Sequence, residues 1–413
     1  MKKTILFTFI ISLFLIGCHS SNQSVTNGLI LLDANKDDGV AKLKLSDIAD
    51  ITYIPLEFGP EQILWGSYLR VRGLFVFDDK FLLVDSDPLS LKIVVYDFSG
   101  QPLFTIGSSG RGKGEYLDLG GTLVDTLANE VIIYDRMQSK FVVYSTTGQF
   151  KREKFLNDNG QALFYSCIEN MNDRYMLAYH NNTQYIRENR LISHGKTFTL
   201  YDKQTLSEVE FINFEYEKPG RWPDFTAILY GLTTTKDGVY ITNIRCDTIY
   251  FMDKELRLTP KFVDITHRYK DFGAQLFPAA ETDKYVFFST ELETNENNLN
   301  LIKFFAYEKS TNKLLRIQNN LPERLVVERG NRSSIETINP NRGPLVTRHE
   351  DMVINDKIAL GEYTMTLNHN YASLMLQPEF LLDHSQNLPK DLKVIIQDVT
   401  TSSNPVLMLI KFK

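Results

Sequence analysis

The stretch from Phe104 to Tyr116, FTIGSSGRGKGEY, holds the densest set of residues suited to chemistry. From Gly107 it reads G-x-x-x-x-G-K, the spacing at which backbone N–H groups and a lysine cradle a phosphate. A working phosphate loop also needs Ser or Thr directly after the lysine, to reach Mg²⁺, and a helix that starts there. Gly114 occupies that position, and the following EYLDLGGTLVD is broken by two more glycines that oppose a helix. Gly107, Gly110, Gly112 and Gly114 therefore read as turn formers. Arg111, Lys113 and Glu115 remain on the loop as candidate ligand-binding side chains, facing a central channel or holding the turn.

Other chemistry is sparse. The histidines at 19, 180, 194, 267, 349, 369 and 384 form no H-E-x-x-H, H-x-x-E-H or H-x-H arrangement, and no metal or cofactor is assigned. A G-x-S-x-G nucleophile elbow is missing, and DANKDDGVAKL (Asp33 to Leu43) does not complete a calcium loop. No catalytic residue is assigned. EKPGRWPDF (Glu217 to Phe225) offers Arg221, Trp222 and Asp224, an aromatic platform flanked by charge that suits a sugar or peptide. The alternative for Trp222 is a cap on the core beneath a long loop.

The N-terminus carries an address. Lys2 and Lys3 precede an apolar run from Ile5 to Ile16, which is shorter than the roughly 20 residues of a membrane span. Leu15-Ile16-Gly17-Cys18 then resembles a bacterial lipobox, which implies cleavage before Cys18 and lipidation of its thiol. The expected organisation is a signal peptide over 1–17, a lipidated Cys18 and flexible tether over 18–40, and one domain over 41–413. Cys167 and Cys246 lie in no C-x-x-C pair; they read as small buried residues, and spacing leaves a disulfide between them open. Acidic residues outnumber basic ones 51 to 45, for a net charge of −6, which argues against a nucleic-acid partner.

The elements that must position these groups form a repeat. KFLLVDSDPLSLKIVVYDFSG (Lys80 to Gly100) recurs as NEVIIYDRMQSKFVVYSTTG (Asn129 to Gly148), and weaker copies end in Tyr201, Tyr250 and Tyr307. Successive intervals from Tyr96 are 48, 57, 49 and 57 residues. Alternating, aromatic-rich strands at a period near 50 predict an all-β propeller with one four-stranded antiparallel sheet per blade. One such sheet cannot bury both of its faces, so neighbouring sheets stack and the ring must close. MVINDKIALGEYTM and the terminal NPVLMLIKFK supply a sixth blade. The strand within Ala41 to Leu56 has no partner in its own repeat and is expected to complete that last blade. Residues 377–393 read as a short helical insertion.

YIPLE (Tyr53 to Glu57), VVYDFSGQPLFTIGSSGRGKGEY (Val94 to Tyr116) and NPVLMLIKFK together resemble the six-bladed β-propeller lipoproteins of Bacteroides and its relatives. That family commonly shows IG-x-x-G-R-G-P-G-E-Y, and Lys113 here replaces the proline. The loop also resembles the inter-blade segment of NHL repeats. The resemblance implies an outer-membrane lipoprotein held to the bilayer through Cys18, and assigns no activity. The residues after Cys18, His-Ser-Ser-Asn-Gln, lack an acidic cluster, which favours the periplasmic side. The expected role is binding or scaffolding for a glycan, peptide or envelope protein. The alternative is an envelope enzyme at the channel mouth, either a glycan-acting lyase or hydrolase or an NHL-like metal lyase.

Overall fold

The computed structural model describes residues 29–36, 38–41, 43, 48–57, 71–85, 91–158, 161–163, 165, 167–180, 185–187, 190–192, 197–212, 231–242, 246–266, 276–294, 299–317, 371–376, 378–383 and 385–413. They form a six-bladed β-propeller. Blade 1 comprises Val71–Phe77, Lys80–Asp85, Lys92–Asp97 and Pro102–Thr105, hydrogen-bonded in chain order from hub to rim. Blade 2 follows the same plan with Gly121–Asp125, Glu130–Asp135, Lys140–Ser145 and Phe150–Phe155, and blade 3 with Cys167–Asn170, Tyr175–Tyr179, Phe198–Asp202 and Ser207–Ile212.

Blade 4 (Leu232–Thr234, Gly238–Ile241, Thr248–Asp253, Leu258–Asp264) and blade 5 (Phe277–Glu281, Tyr285–Thr294, Leu299–Glu308, Lys313–Ile317) each gain a fifth strand. Blade 6 contributes three described strands, in the order Tyr371–Leu376, Val406–Phe412 and Ala49–Pro55.

Ring closure is as the sequence predicts. Ala49–Pro55 runs antiparallel to Val406–Phe412, in register from Ala49 beside Phe412 to Pro55 beside Val406. Leu407 and Leu409 pack with Ile54 against Leu74, Leu83 and Tyr96 of blade 1. Val406, Met408, Ile410 and Phe412 turn the other way, toward Phe287 and Ala306 of blade 5. Because both faces of the strand are buried, VLMLIKF reads as a continuous apolar run and not as a simple alternation. The other seams are filled similarly, and apolar clusters link blades 1 to 3, 3 to 4, and 4 to 5.

The repeated tyrosine has a local cause. Tyr96, Tyr144, Tyr201 and Tyr250 each stand where the pairing of the third and fourth strands shifts register. Such a bulge increases twist and lets the outer strand splay. The longer intervals also have a cause. Blade 3 carries an extra hairpin, Tyr185–Arg187 with Arg190–Ile192, and blade 5 has ten-residue second and third strands. The helical insertion forms as Pro378–Asp383 and Lys390–Ile395, which place Leu381, Leu388 and Leu392 in the seam between blades 5 and 6.

The tether boundary is corrected. Ile30–Leu32, inside the stretch assigned to a flexible tether, and Val40–Ala41, at its end, add in parallel to the outer strands of blades 4 and 5. Leu32 is fully buried, the Ala34 N–H donates to Thr266 Oγ1 at 2.8 Å, and the Leu314 N–H donates to Asp38 Oδ2 at 2.9 Å. The domain therefore begins near Ile30.

Candidate functional site

The glycine-rich loop connects the rim of blade 1 to the hub of blade 2, and its own side chains hold it shut. Glu115 folds back so that its carboxylate accepts the Gly112 N–H at 2.6 Å, and a Cβ at Gly110 would collide with that carboxylate. Gly107 has φ +68°, and a Cβ there would lie 2.6 Å from the Tyr144 hydroxyl. The Tyr144 hydroxyl donates to the Gly114 carbonyl, while the Gly114 N–H donates to Glu153 Oε2 at 3.1 Å. Tyr144 and Glu153 belong to the third and fourth strands of blade 2, so this part of the loop lies over that blade's outer half. Arg111 and Lys113 are exposed, and the Lys113 ammonium sits 5.6 Å from the Phe150 ring centre. Among the three predicted residues of this loop, Glu115 is thus engaged in the turn and the two cations face solvent.

Arg221, Trp222 and Asp224, together with Cys18, lie outside the described residues. Of the seven histidines, His180 alone is among the described residues, buried just after the second strand of blade 3. Cys167 and Cys246 are both free thiols and only partly buried, and burial raises the pKa of each. Among the described residues no three His, Cys, Asp or Glu side chains gather as a metal site.

The group that stands apart chemically is one that sequence reasoning missed. Glu169 lies on the innermost strand of blade 3, two residues after Cys167, on the same side of the strand. Its Oε2 accepts the Thr234 hydroxyl at 2.8 Å, from the innermost strand of blade 4. One residue away, the Thr233 hydroxyl donates to the Pro278 carbonyl of blade 5 at 2.7 Å. Side-chain hydrogen bonds thus cross two adjacent seams near the hub. Burial pushes the Glu169 carboxyl up to about 7, and the Thr234 hydrogen bond opposes this. Its side chain keeps partial exposure, yet protein surrounds it closely enough to strip much of its hydration. A carboxyl poised near neutrality can hold or release a proton at physiological pH, a property typical of functional positions.

Other withdrawn charges among the described residues are compensated. Lys203 pairs with Asp125 at 2.8 Å, with both side chains under a tenth exposed, and also donates to Asn170 Oδ1 at 3.2 Å. Arg152 grips Glu130 with two bonds of 2.7 Å. Burial alone would raise the Glu130 carboxyl, but Arg152 and Lys151 hold it below its ordinary value. The Lys203–Asp125 pair joins blades 2 and 3, the Arg152–Glu130 pair braces blade 2, and both serve the framework.

The family described as "Domain of unknown function (DUF4934)" matches residues 30–411. The chain belongs to this family. A DUF4934 match beginning at residue 30 agrees with the strand boundary at Ile30. Among solved structures, the chain is similar to a "Putative exported protein" of Bacteroides fragilis NCTC 9343. The two share 14% identity over 91% of this chain and 98% of that one, with a TM-score of 0.61, which is a likeness of fold. A duf4221 family member from Bacteroides vulgatus ATCC 8482 aligns over 65% of this chain and 84% of its own, at 13% identity and a TM-score of 0.43. No curated protein matches the sequence. In this DUF4934 chain the signal that would have found Glu169 was a carboxylate inside CIEN, on a strand otherwise uncharged.

Proposed function

We propose that the protein is an exported, lipid-anchored propeller that serves as a binding or scaffolding module of the cell envelope. The observation that carries this reading is the lipobox Cys18, placed shortly before the chain joins the rim of blade 4 at Ile30. Between them the chain spans at most roughly 40 Å, enough to hold the ring beside a bilayer. Acyl chains on Cys18 contribute about 0.8 kcal/mol per buried CH₂, and more than one chain is needed for stable anchoring. The Bacteroides fragilis relative's description as exported supports the same address. The anchor lies in the outer membrane on its periplasmic side, and the ligand is a glycan, a peptide or an envelope protein. Six seamed sheets fix the bases of the loops, so little ordering is needed on binding.

The test has two arms. Cys18→Ala is expected to move the protein from the detergent phase to the aqueous phase in Triton X-114 partition, and to abolish labelling by a fatty-acid probe. The mature protein is expected to retain members of a glycan or peptide array, or a cross-linked envelope protein, without converting them. Unchanged partition of Cys18→Ala refutes the anchor, and turnover of a retained glycan or peptide moves the protein to the enzyme class.

A further inference from the structure

We propose that the hub seam between blades 3 and 4 binds the cationic group of a ligand, an ammonium or guanidinium, on the Glu169 carboxylate. This rests on the binding-module reading and supplies that module's ligand class.

The first ground is contrast. Among the described residues, Asp125 is met by the Lys203 ammonium, Glu130 by the Arg152 guanidinium, and Asp264 by the N–H groups of Thr266 and Leu276. From the described residues Glu169 receives only the neutral Thr234 hydroxyl. A carboxylate held in a poorly hydrated wall without a cation is unfavourable, and a cation supplied from outside relieves that state.

The second ground is access. The strand Cys167–Asn170 is flanked by the innermost strands of blades 2 and 4 and backed by Tyr175–Tyr179. The side left over is the hub, and Glu169 is partly exposed. The third ground is the absence, among the described residues, of a competing charge on its face. Cys167, beside it, stays a neutral thiol because burial raises its pKa. The Tyr179 phenol belongs to the residue paired with Cys167, and Thr234 represents blade 4. The Lys203–Asp125 pair meets Asn170, on the opposite face of the strand, and is already mutually satisfied. Near neutral pH, cation binding expels the carboxyl proton, so affinity rises with pH.

The test is saturation binding of n-butylammonium to the full mature protein, with 1-butanol as the uncharged counterpart, followed by NMR shifts. Wild type is expected to bind butylammonium saturably at pH 8, at least tenfold more weakly at pH 5.5, and to ignore butanol. Glu169→Gln is expected to lose at least tenfold at pH 8. Thr234→Val, which removes the hydrogen bond that stabilises the ionised form, is expected to keep binding but to shift its onset to higher pH. Equal binding by wild type and Glu169→Gln overturns the proposal, as does no saturable binding by folded wild type at pH 8. Should Glu169→Gln fail to fold, binding that does not change with pH in wild type and Thr234→Val overturns it equally. If array or envelope-protein binding persists while butylammonium binding fails, the cation site falls and the module stands. If all binding is absent, the module falls.

Discussion

Glu169→Gln is expected to stabilise the protein at pH 8 relative to pH 5, by about 1–3 kcal/mol more than any shift shared with wild type. The carboxyl, ordinarily at 4.5, is pushed up to about 7 in the fold, chiefly by burial. Between those two values the folded chain holds a proton that the unfolded chain has released. Wild-type stability therefore falls as pH rises through this window, and by pH 8 the loss is complete. Glutamine keeps an oxygen for the Thr234 hydroxyl and carries no charge, so it removes this dependence. Denaturant midpoints of both proteins at pH 5, 6, 7 and 8 measure the difference. Parallel curves across this range would mean that the carboxyl is compensated or fully hydrated.

The second large effect concerns the N-terminal strands. Deleting residues 1–28 is expected to leave the thermal midpoint unchanged. Extending the deletion through Ala41 removes buried Leu32 and Ala41 and uncovers the outer edges of blades 4 and 5. A single buried leucine is worth about 2 kcal/mol, so the midpoint falls while unfolding stays cooperative. Extending it through Glu57 removes Ala49–Pro55, leaves Val406–Phe412 without its outer partner, and opens the apolar seam that holds Ile54. That chain is expected to lose its cooperative transition and to aggregate through the bared edge. Circular dichroism melts of the three deletions separate these outcomes. A cooperative wild-type melt from the longest deletion would remove the basis for ring closure.

Much of the fold was legible because the repeat is imposed by packing. Every blade needs two apolar faces, and the recurring tyrosine marks the bulge where the outer strand departs, so Tyr96, Tyr144, Tyr201 and Tyr250 appear at related places. Ring closure was legible because the strand within Ala41 to Leu56 had no partner in its own repeat. Ile30–Leu32 and Val40–Ala41 were missed because strands of three and two residues carry no period, and parallel addition to a rim leaves no turn beside them. Glu169 was missed for a different reason. Its partner Thr234 is 65 positions away, and its altered acidity arises from neighbours that only the closed ring brings together. The missing Ser or Thr made the loop FTIGSSGRGKGEY legible as a turn, while the engagement of Glu115 with Gly112 needed coordinates.

The most direct measurement is a ¹³C NMR titration of the glutamate side-chain carboxyls, with Glu169→Gln used to assign the signal. An uncompensated hub carboxyl gives a midpoint near 7, moved downward by butylammonium. A midpoint near 4.5, indifferent to butylammonium, would show an ordinary solvated glutamate and contradict the site described here.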